Sequence, residues 1–277
     1  VPLPYFGWGT IPDQYGRRWA QDDGEGRVPR RPSQPHPMRL HAWPGRTQVP
    51  ALDLTAVRSA IARSDADGFL AAVAGRDIDE ALQQVGAGIP MALAQRRGQA
   101  EPVALSVINR LTGRDGPGDT VLAEDLLTAL RRQPPAEPVL PVDLETLAAV
   151  LETDPGTSTG GWLEVRTGQV YTDEDTDPAI VGQDAAIDVE EDPDRWLRID
   201  PAGSRQGWAD MAAFAGRQHD HTLRVRLEQA IQGQGAFGRF RDLVHAEDLA
   251  ELWSVYSTDR RIGRARTFLA DHHLRAG

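Results

Sequence analysis

The sequence predicts a mainly helical α+β fold, with an all-helical middle domain and a carboxyl-terminal domain in which a small antiparallel sheet packs with helices. Two patterns support this prediction. Apolar residues recur every three or four positions through most segments after Leu52, which is typical of amphipathic helices. Apolar and polar residues alternate in three short runs between residues 161 and 199, which is typical of strands.

Residues 1–50 form the first of three predicted regions. They combine proline, glycine, arginine and aromatic residues without a sustained helical or strand period, which predicts an irregular arm. Its aromatic residues near Arg17 and Arg18 are Tyr5, Phe6, Trp8, Tyr15 and Trp19. This mixture suits either stacking on nucleic-acid bases or packing of the arm onto the protein's own core.

Residues 51–138 are predicted to form the helical middle domain. Asp53 and Asp77 precede apolar-periodic runs and are typical capping residues. Gly113 is expected to end a helix, because glycine readily adopts the left-handed conformation found there. The predicted helices are LTAVRSAIARS, ADGFLAAVAG, IDEALQQVGAGI, PVALSVINRLTG and TVLAEDLLTALRRQ. The segment PPAEP that follows marks a predicted domain boundary.

Residues 139–277 are predicted to form the α+β domain. Asp143 is expected to cap the helix LETLAAVLE. The run GGWLEVRTGQVYTDE has two alternating segments around RTGQ, which predicts a β-hairpin, and RWLRI at 195–199 predicts a third strand. From Ser204 the period is helical again, over RQGWADMAAFAGRQ, HTLRVRLEQAIQ, AFGRFRDLVHA, EDLAELWSVYS and RRIGRARTFLADHHL.

The composition excludes several classes of chemistry. The chain has no lysine, so its 30 basic residues are all arginines, and no amine is present for a Schiff base or for a phosphate-loop or kinase-type lysine. It has no cysteine, which excludes disulfides, thiolate nucleophiles and cysteine-ligated zinc. From the sequence we assign no catalytic residue, no metal ligand and no cofactor.

The charge and hydropathy of the chain limit which partners it can have and where it can be located. A formal net charge of −11 and a pI near 5.1 argue against a protein that coats nucleic acid through its overall field, and leave a local basic patch open. The sequence has no run of about eighteen apolar residues and no basic leader followed by an apolar stretch. We therefore expect a cytoplasmic protein with no membrane partner.

Six blocks in the second half of the chain follow a recognisable order. They are DLETLAAVLE, WLEVRTGQVY, DRWLRID, LEQAIQGQGAFGRFRD, ELWSVYS and ARTFLADHHL, and they cover roughly residues 140–275. In this order the chain resembles the bacterial uncharacterised protein family 0158, whose most specific feature is a GxGAFxRF block followed by a tryptophan-bearing helix. The resemblance implies a small bacterial α+β domain and no assigned activity. That family usually has arginine at the position of Gly238, where this sequence departs from it.

The segment GQGAFGRFRD, residues 233–242, has the glycine spacing of a dinucleotide-binding loop. Such a loop leaves a strand and enters a helix. The preceding run is too long for a typical strand, and Leu223 and Leu227 fit one helix face. We therefore interpret the segment as a structural turn between two helices, with positive φ at Gly233 and with Gly235 allowing the next helix to start close by.

The helix after this turn carries candidate binding residues. Phe237 and Phe240 are three positions apart and are expected to share a core-facing side. Arg239, Arg241 and Asp242 are then expected on exposed or interfacial faces. Their guanidinium groups suit an anion or phosphate contact, and the alternative is a set of surface ion pairs.

A local arginine face is the candidate nucleic-acid site. Several arginines near the end of the chain are three or four positions apart, which allows one basic helix stripe. The candidate residues are Arg224, Arg226, Arg239, Arg241, Arg260, Arg261, Arg264 and Arg266.

The segment 173–194 is rich in aspartate and glutamate and has no basic residue. The residues that match a calcium-loop template are Asp173, Asp175, Asp177 and Asp184. Pro178 stands where that template needs a glycine, so a solvated acidic loop or a surface for a basic partner is favoured. His219 and His221 lack the spacing of four that places two histidines on one helix face.

Three functions follow from these patterns. The leading prediction is a non-catalytic cytoplasmic interaction or regulatory protein that binds a protein or an anionic ligand through Arg239 and Arg241 or through the acidic segment. The first alternative is a nucleic-acid-binding protein that uses the local arginine face. The second is a metal-dependent hydrolase or nuclease that combines acidic-segment carboxylates with His219 or His221.

Overall fold

The computed structural model describes residues 52–156 and 159–277, and these residues belong to one compact unit. The predicted arm over residues 1–50 lies outside the described residues. The described helices are α1 (Leu54–Ala62), α2 (Ala66–Val73), α3 (Leu82–Arg114), α4 (Asp119–Arg131), α5 (Leu144–Leu151), α6 (Pro178–Val181), α7 (Arg205–Gly216), α8 (His221–Ala230), α9 (Ala236–Ala246) and α10 (Ala250–Asp271). The described strands are β1 (Val139–Leu140), β2 (Gly161–Glu164), β3 (Val170–Thr172), β4 (Trp196–Ile199) and β5 (Arg275–Ala276).

This architecture confirms the mainly helical α+β fold with a small antiparallel sheet. Strand β2 lies in the centre of a three-stranded sheet and pairs antiparallel with β3 and with β4. On the inner face of the sheet, Leu163 and Ile199 are fully buried against residues of α5 and α10. The predicted hairpin and third strand are therefore both present.

Aspartate side chains begin several of the helices. Asp53 accepts a hydrogen bond from the backbone nitrogen of Ala56 at 3.0 Å, and Asp143 accepts one from that of Glu145 at 2.9 Å, so both predicted caps are present. Asp77 instead closes a short turn, and α3 begins only at Leu82.

Helix α3 joins two segments that the sequence analysis treats as separate helices. It spans 33 residues, with one non-helical residue, Arg96 (φ −136°, ψ 48°), between its two parts. Gly113 does not end it. The helix runs on to Arg114 and ends where Asp115 adopts a left-handed conformation (φ 50°), a conformation that aspartate tolerates better than most side chains.

A second sheet of two parallel strands was not predicted. Strand β1 pairs with β5, with Val139 opposite Arg275 and Leu140 opposite Ala276. Strands of two residues carry no measurable period, so the sequence pattern could not reveal them.

Helix α10 contributes to three hydrophobic cores. Val255 packs against the core of α1 to α4, and Ala265 and Leu269 belong to the core of α5 and the three-stranded sheet. Tyr256 belongs to the core of α7 to α10, beside the rings of Phe214 and Trp253. Contacts therefore cross the predicted boundary between residues 138 and 139. None of the described helices has both the length and the apolar character needed to cross a membrane.

A buried set of polar side chains, here called the α3–α10 network, also crosses that boundary. Arg114 donates to both carboxylate oxygens of Asp119 (2.8 and 2.6 Å), and its Nη1 lies 2.6 Å from Oδ2 of Asp259. Gln83 donates from Nε2 to Asp119 at 2.9 Å, and its backbone nitrogen donates to Asp259 at 2.6 Å. Arg266 donates from Nε to Oε1 of Gln83 at 3.0 Å, which completes the network.

The two aspartates of this network titrate differently. Burial raises the pKa of Asp259 to about 6, against the opposing effect of the Arg114 charge. Burial also favours the neutral form of Asp119, but the hydrogen bonds and charge of Arg114, together with hydrogen bonds from Gln83 and Gly116, outweigh it and hold the pKa of Asp119 below its usual range. The network thus contains one firmly ionised carboxylate and one that titrates not far below neutral pH.

The backbones of α10 and the loop before α4 approach each other closely. A Cβ atom added to Gly263 would lie 2.0 Å from the carbonyl oxygen of Pro117, and one added to Gly118 would lie 2.2 Å from the carbonyl oxygen of Gly263. Only glycine fits at such a distance, and Gly118 also has a φ of 69°.

Candidate functional site

The predicted structural turn connects two helices, α8 and α9. Gly233 (φ 68°) and Gly235 (φ 79°) are both left-handed, and Gly235 directly precedes α9. Gly238 lies inside α9, and a helix rather than a strand precedes the turn. The segment therefore lacks the strand that a dinucleotide-binding loop requires.

Arg239 closes this turn from α9. Its guanidinium donates to the carbonyl oxygens of Ala230 (3.2 Å), Gln234 (2.6 Å) and Gln232. These carbonyl groups lie at and just beyond the end of α8, where the intrahelical donors run out. The guanidinium is thus engaged in holding the two helices together.

Arg224 and Arg226 also have partners within the protein. Arg224 donates twice to the carbonyl oxygen of Gln218, at 3.1 and 2.7 Å. Arg226 pairs with Glu247 at 2.5 Å. Neither leaves an unpaired guanidinium for a ligand.

The predicted basic stripe on α10 is largely neutralised. Arg261 pairs with Glu152 at 2.8 Å, and Arg264 pairs with Glu152 and with Asp210, the latter at 2.8 Å. Arg260 lies over the ring of Tyr256, with 5.1 Å between the guanidinium carbon and the ring centroid. The prediction of an exposed stripe is wrong for Arg266. This residue is buried in the α3–α10 network and cannot lie on an exposed face.

Arg241 and Asp242 are the predicted site residues that stay most exposed. Their side chains are 72% and 77% exposed and lie 3.7 Å apart. Phe237, one turn before Arg241, is 49% exposed, whereas Phe240 is buried. The prediction that both phenylalanines face the core is therefore wrong for Phe237. Positions three apart differ by about 60° around a helix, which is enough to put one of them at the edge of the core.

Phe237 lies against the first turn of α7. Its ring carbon would be 3.3 Å from a Cβ atom added to Gly207, and the neighbouring Trp208 is 42% exposed. The indole nitrogen of Trp208 donates to the carbonyl oxygen of Ile231 at 2.9 Å, which fixes the ring. Arg205, three positions earlier on the same helix side, is exposed, and its side chain has no ion pair or hydrogen bond within residues 52–156 and 159–277.

We call this group the aromatic–arginine surface, formed by Arg205, Trp208, Phe237 and Arg241. It combines two exposed aromatic side chains with two exposed arginines on α7 and α9. Arg205 and Trp208 have no role in the predictions made from the sequence. Trp208 lies three positions before the buried Met211, so helical spacing alone would place it in the core, and no other pattern marks it as exposed.

The carboxylates of the acidic segment have separate structural roles. Asp173 pairs with Arg198 at 2.5 Å, and the hydrogen bond from this guanidinium lowers the pKa of Asp173. Asp175 accepts from the backbone nitrogen of Thr172 at 2.7 Å, and Asp177 caps α6. Three of the four calcium-template residues thus serve as an ion-pair partner or as helix caps, and Asp184 is exposed.

His221 and His272 lie at helix ends. His221 is the first residue of α8, which Asp220 caps, and His272 donates from Nδ1 to the carbonyl oxygen of Phe268 at 2.8 Å. Within the described ranges, no three or more His, Asp or Glu side chains are grouped so that they could hold a metal ion.

Comparison of the chain with protein-family models, with curated proteins and with solved structures finds no match. The resemblance to the uncharacterised protein family 0158 stays a prediction.

Proposed function

We propose that this chain is a non-catalytic interaction protein whose aromatic–arginine surface docks an acidic segment of a partner protein. The observation that carries this proposal is the exposure of Trp208 and Phe237 beside two arginines without a strong ion-pair partner among the described residues. Exposed aromatic side chains on neighbouring helices, rimmed by charged residues, often mark an interaction site.

The composition of this surface matches that of binding hot spots. Tryptophan and arginine are the residues that most often dominate binding energy at protein interfaces. The hydrogen bond from Trp208 to Ile231 holds the indole in place before any partner arrives. A side chain that is already ordered loses less conformational entropy on binding, which favours affinity.

The charge of the surface favours an acidic partner at short range. The whole chain is negative, with a formal charge of −11, but exposed charges are screened beyond about 8 Å at physiological salt. Arg205 and Arg241 therefore act on a carboxylate that comes into contact with them, and their planar guanidinium groups can hold it with two hydrogen bonds. The partner's apolar side chains would cover the two rings.

A nucleic acid is the second candidate partner for the same surface. Exposed aromatic rings stack on bases, and neighbouring arginines contact phosphates. The arginines of α8 and α10 that would extend such a footprint are paired inside the protein or lie against its rings. We therefore expect a nucleic acid to bind more weakly than an acidic protein segment.

The proposal is tested by affinity capture from nuclease-treated cell extract with four forms of the protein. These are the wild type, Trp208→Ala with Phe237→Ala, Arg205→Ala with Arg241→Ala, and Leu105→Ala. Leu105 is an exposed leucine on α3 and serves as the matched surface control. We expect one partner to be retained by the wild type and Leu105→Ala and lost by both double variants. Equal recovery by all four forms would contradict the proposal.

Fluorescence anisotropy separates the two candidate partners. Labelled single- and double-stranded DNA and RNA are titrated with the wild type and both double variants at low and moderate salt. Binding that weakens as salt rises and disappears in the double variants would favour the nucleic acid. Absence of binding, together with selective capture of a protein, would support the acidic protein partner.

A further inference from the structure

A cavity of about 1190 Å³ lies between the helices of the middle region and the carboxyl-terminal part of the chain. Residues of α1, α3, α4, α10, β5 and the segment 139–145 line it. Exposed residues such as Ala87 and Pro90 are among them, so the cavity reaches the surface. Its volume is slightly above the range of about 300 to 1,000 Å³ that is usual for small-molecule sites.

Most of the cavity wall is apolar. Ile61 of α1, Met91 of α3 and Leu126 of α4 line one part, and Val142 and Ile262 line another. Such a wall favours a ligand with an apolar body, because the ligand then loses its own contact with water on binding.

Three polar side chains in the lining have buried atoms without hydrogen-bond partners among the described residues. These atoms are Oε1 and Nε2 of Gln84, Oδ2 of Asp125 and Nη1 of Arg275. Gln84 is only 5% exposed, and neither the donor nor the acceptor side of its amide has a hydrogen-bond partner among the described residues. A buried polar group left unpaired lowers stability, and such groups are rare in folded proteins.

The charges around these atoms are already balanced by neighbours. Nη1 of Arg275 lies 3.5 Å from Oδ1 of Asp125, and its Nε donates to Glu137 at 2.7 Å. Nη1 of Arg266 lies 3.9 Å from Oδ2 of Asp125. The missing partners are therefore hydrogen-bonding groups of an uncharged molecule rather than a counter-ion.

We propose that this cavity binds a small uncharged amphipathic molecule with an apolar body and a carboxamide- or lactam-type head that pairs with the amide of Gln84. The ligand's N–H donates to Oε1 of Gln84, and its carbonyl oxygen accepts from Nε2. An amide or lactam presents this donor and acceptor side by side, which an ester, a carboxylate or an ammonium group does not. The inference concerns a site separate from the aromatic–arginine surface and does not depend on that surface.

The head-group preference is tested with four probes that share an eight-carbon chain: octanamide, methyl octanoate, octanoate and octylammonium. Their dissociation constants for the full chain are measured by isothermal titration calorimetry. We expect octanamide to bind about ten-fold more tightly than each of the others, because only it satisfies both sides of the Gln84 amide. Tightest binding of a charged probe, or no binding of any probe, would overturn the proposal.

Two substitutions place the binding in this cavity. Gln84→Met keeps the side-chain size but removes the amide, so octanamide and methyl octanoate should bind equally. The unliganded variant should melt about 2 °C or more above the wild type, because an unpaired buried amide has been removed. Ala87→Trp fills the cavity from an exposed lining position and should weaken all four probes about ten-fold or more.

Gln99→Met, on the exposed side of the same helix, is the matched control and should change neither the preference nor the melting temperature. A preference for octanamide that survives Gln84→Met would refute the pairing with Gln84. Undiminished binding to Ala87→Trp would place the ligand elsewhere and refute the site.

Discussion

Nη1 of Arg114 on α3 lies 2.6 Å from Oδ2 of Asp259 on α10, although the predicted domain boundary separates the two residues in the chain. The same guanidinium donates one hydrogen bond to each carboxylate oxygen of Asp119 on α4. The side chains of both aspartates are buried, so a single arginine compensates two carboxylates that have left water. The packing of three helices thus depends on one side chain.

Replacing Arg114 with leucine should therefore be severe. It removes the guanidinium that pairs directly with the buried carboxylates of Asp119 and Asp259, which should lower the free energy of unfolding by about 3 kcal/mol or more. Arg110→Leu, one turn earlier on α3, removes a pair with Asp79 whose side chains are both more than a third exposed, and should have a much smaller effect. Urea unfolding of the two variants measures the difference. A similar decrease in the free energy of unfolding of both variants would show that the buried Arg114 contributes no more to stability than the exposed Arg110.

Asp259 should make stability depend on pH in a definite direction. Its pKa rises from 3.8 to about 6 on folding, so between these values the folded state binds more protons than the unfolded state. The contribution of Asp259 to the free energy of unfolding is therefore highest at low pH and falls as pH rises through about 6. Relative to Asp259→Asn, the wild type should lose about 2 kcal/mol between pH 4 and pH 7.

This difference is measured by urea unfolding of both proteins across that pH range. The carboxylates outside the α3–α10 network titrate in both proteins and cancel in the comparison. A difference that stays constant, or that changes in favour of the wild type as pH rises, would rule out titration of Asp259 in this range.

Arg239 and Arg241 should differ in their effects even though both are exposed arginines of α9. Arg239→Ala removes the hydrogen bonds to the carbonyl groups after α8 and should lower the free energy of unfolding by about 1 kcal/mol. Arg241→Ala should leave stability unchanged within about 0.5 kcal/mol and should reduce partner binding instead. Chemical unfolding and partner capture, done on both variants, separate the two roles. Equal destabilisation by both would contradict them.

The two phenylalanines of α9 offer a similar contrast. Phe240→Ala should lower the free energy of unfolding by about 3 kcal/mol or more, because the ring of Phe240 is fully buried beside those of Phe214 and Trp253. Phe237→Ala should lower the free energy of unfolding by less than about 1 kcal/mol, since about half of Phe237 is already exposed to water. Thermal unfolding of the two variants tests this, and a comparable fall in melting temperature would mean that Phe237 is a core residue after all.

Gly263→Ala should destabilise the contact between α10 and the loop before α4. The added methyl group would meet the carbonyl oxygen of Pro117, so the two backbones must move apart, which should cost about 1 to 3 kcal/mol. Gly98→Ala, at an open position in α3, has no such contact and should be neutral or slightly stabilising. Calorimetric melting of both variants is the measurement. No difference between them would show that the close approach is not needed.

Local patterns explain which parts of this fold could be predicted. Asp53 and Asp143 cap helices because capping requires only neighbouring residues, and the hairpin around RTGQ follows from alternation within a few residues. The start of α3 was missed because Asp77 is equally suited to a turn, and the sequence does not say which it will form.

The binding features escaped prediction for a different reason. Whether Arg261 is free or paired depends on Glu152, which comes from a distant helix end, and whether Phe237 is covered depends on the neighbouring turn of α7. The unpaired amide of Gln84 is likewise visible only once the surrounding helices are in place. Such properties arise from long-range packing, which a period or a spacing does not encode.

The position of α10 late in the chain has a consequence for biosynthesis. As the polypeptide leaves the ribosome, α1 to α4 emerge before α10. At that stage Asp259, which pairs with Arg114, and Val255, which packs against the core of α1 to α4, are not yet available. Helices α1 to α4 therefore keep part of their apolar surface uncovered until α10 docks. Contacts between such distant parts of the chain slow folding, so this uncovered apolar surface is open to aggregation until α10 is complete.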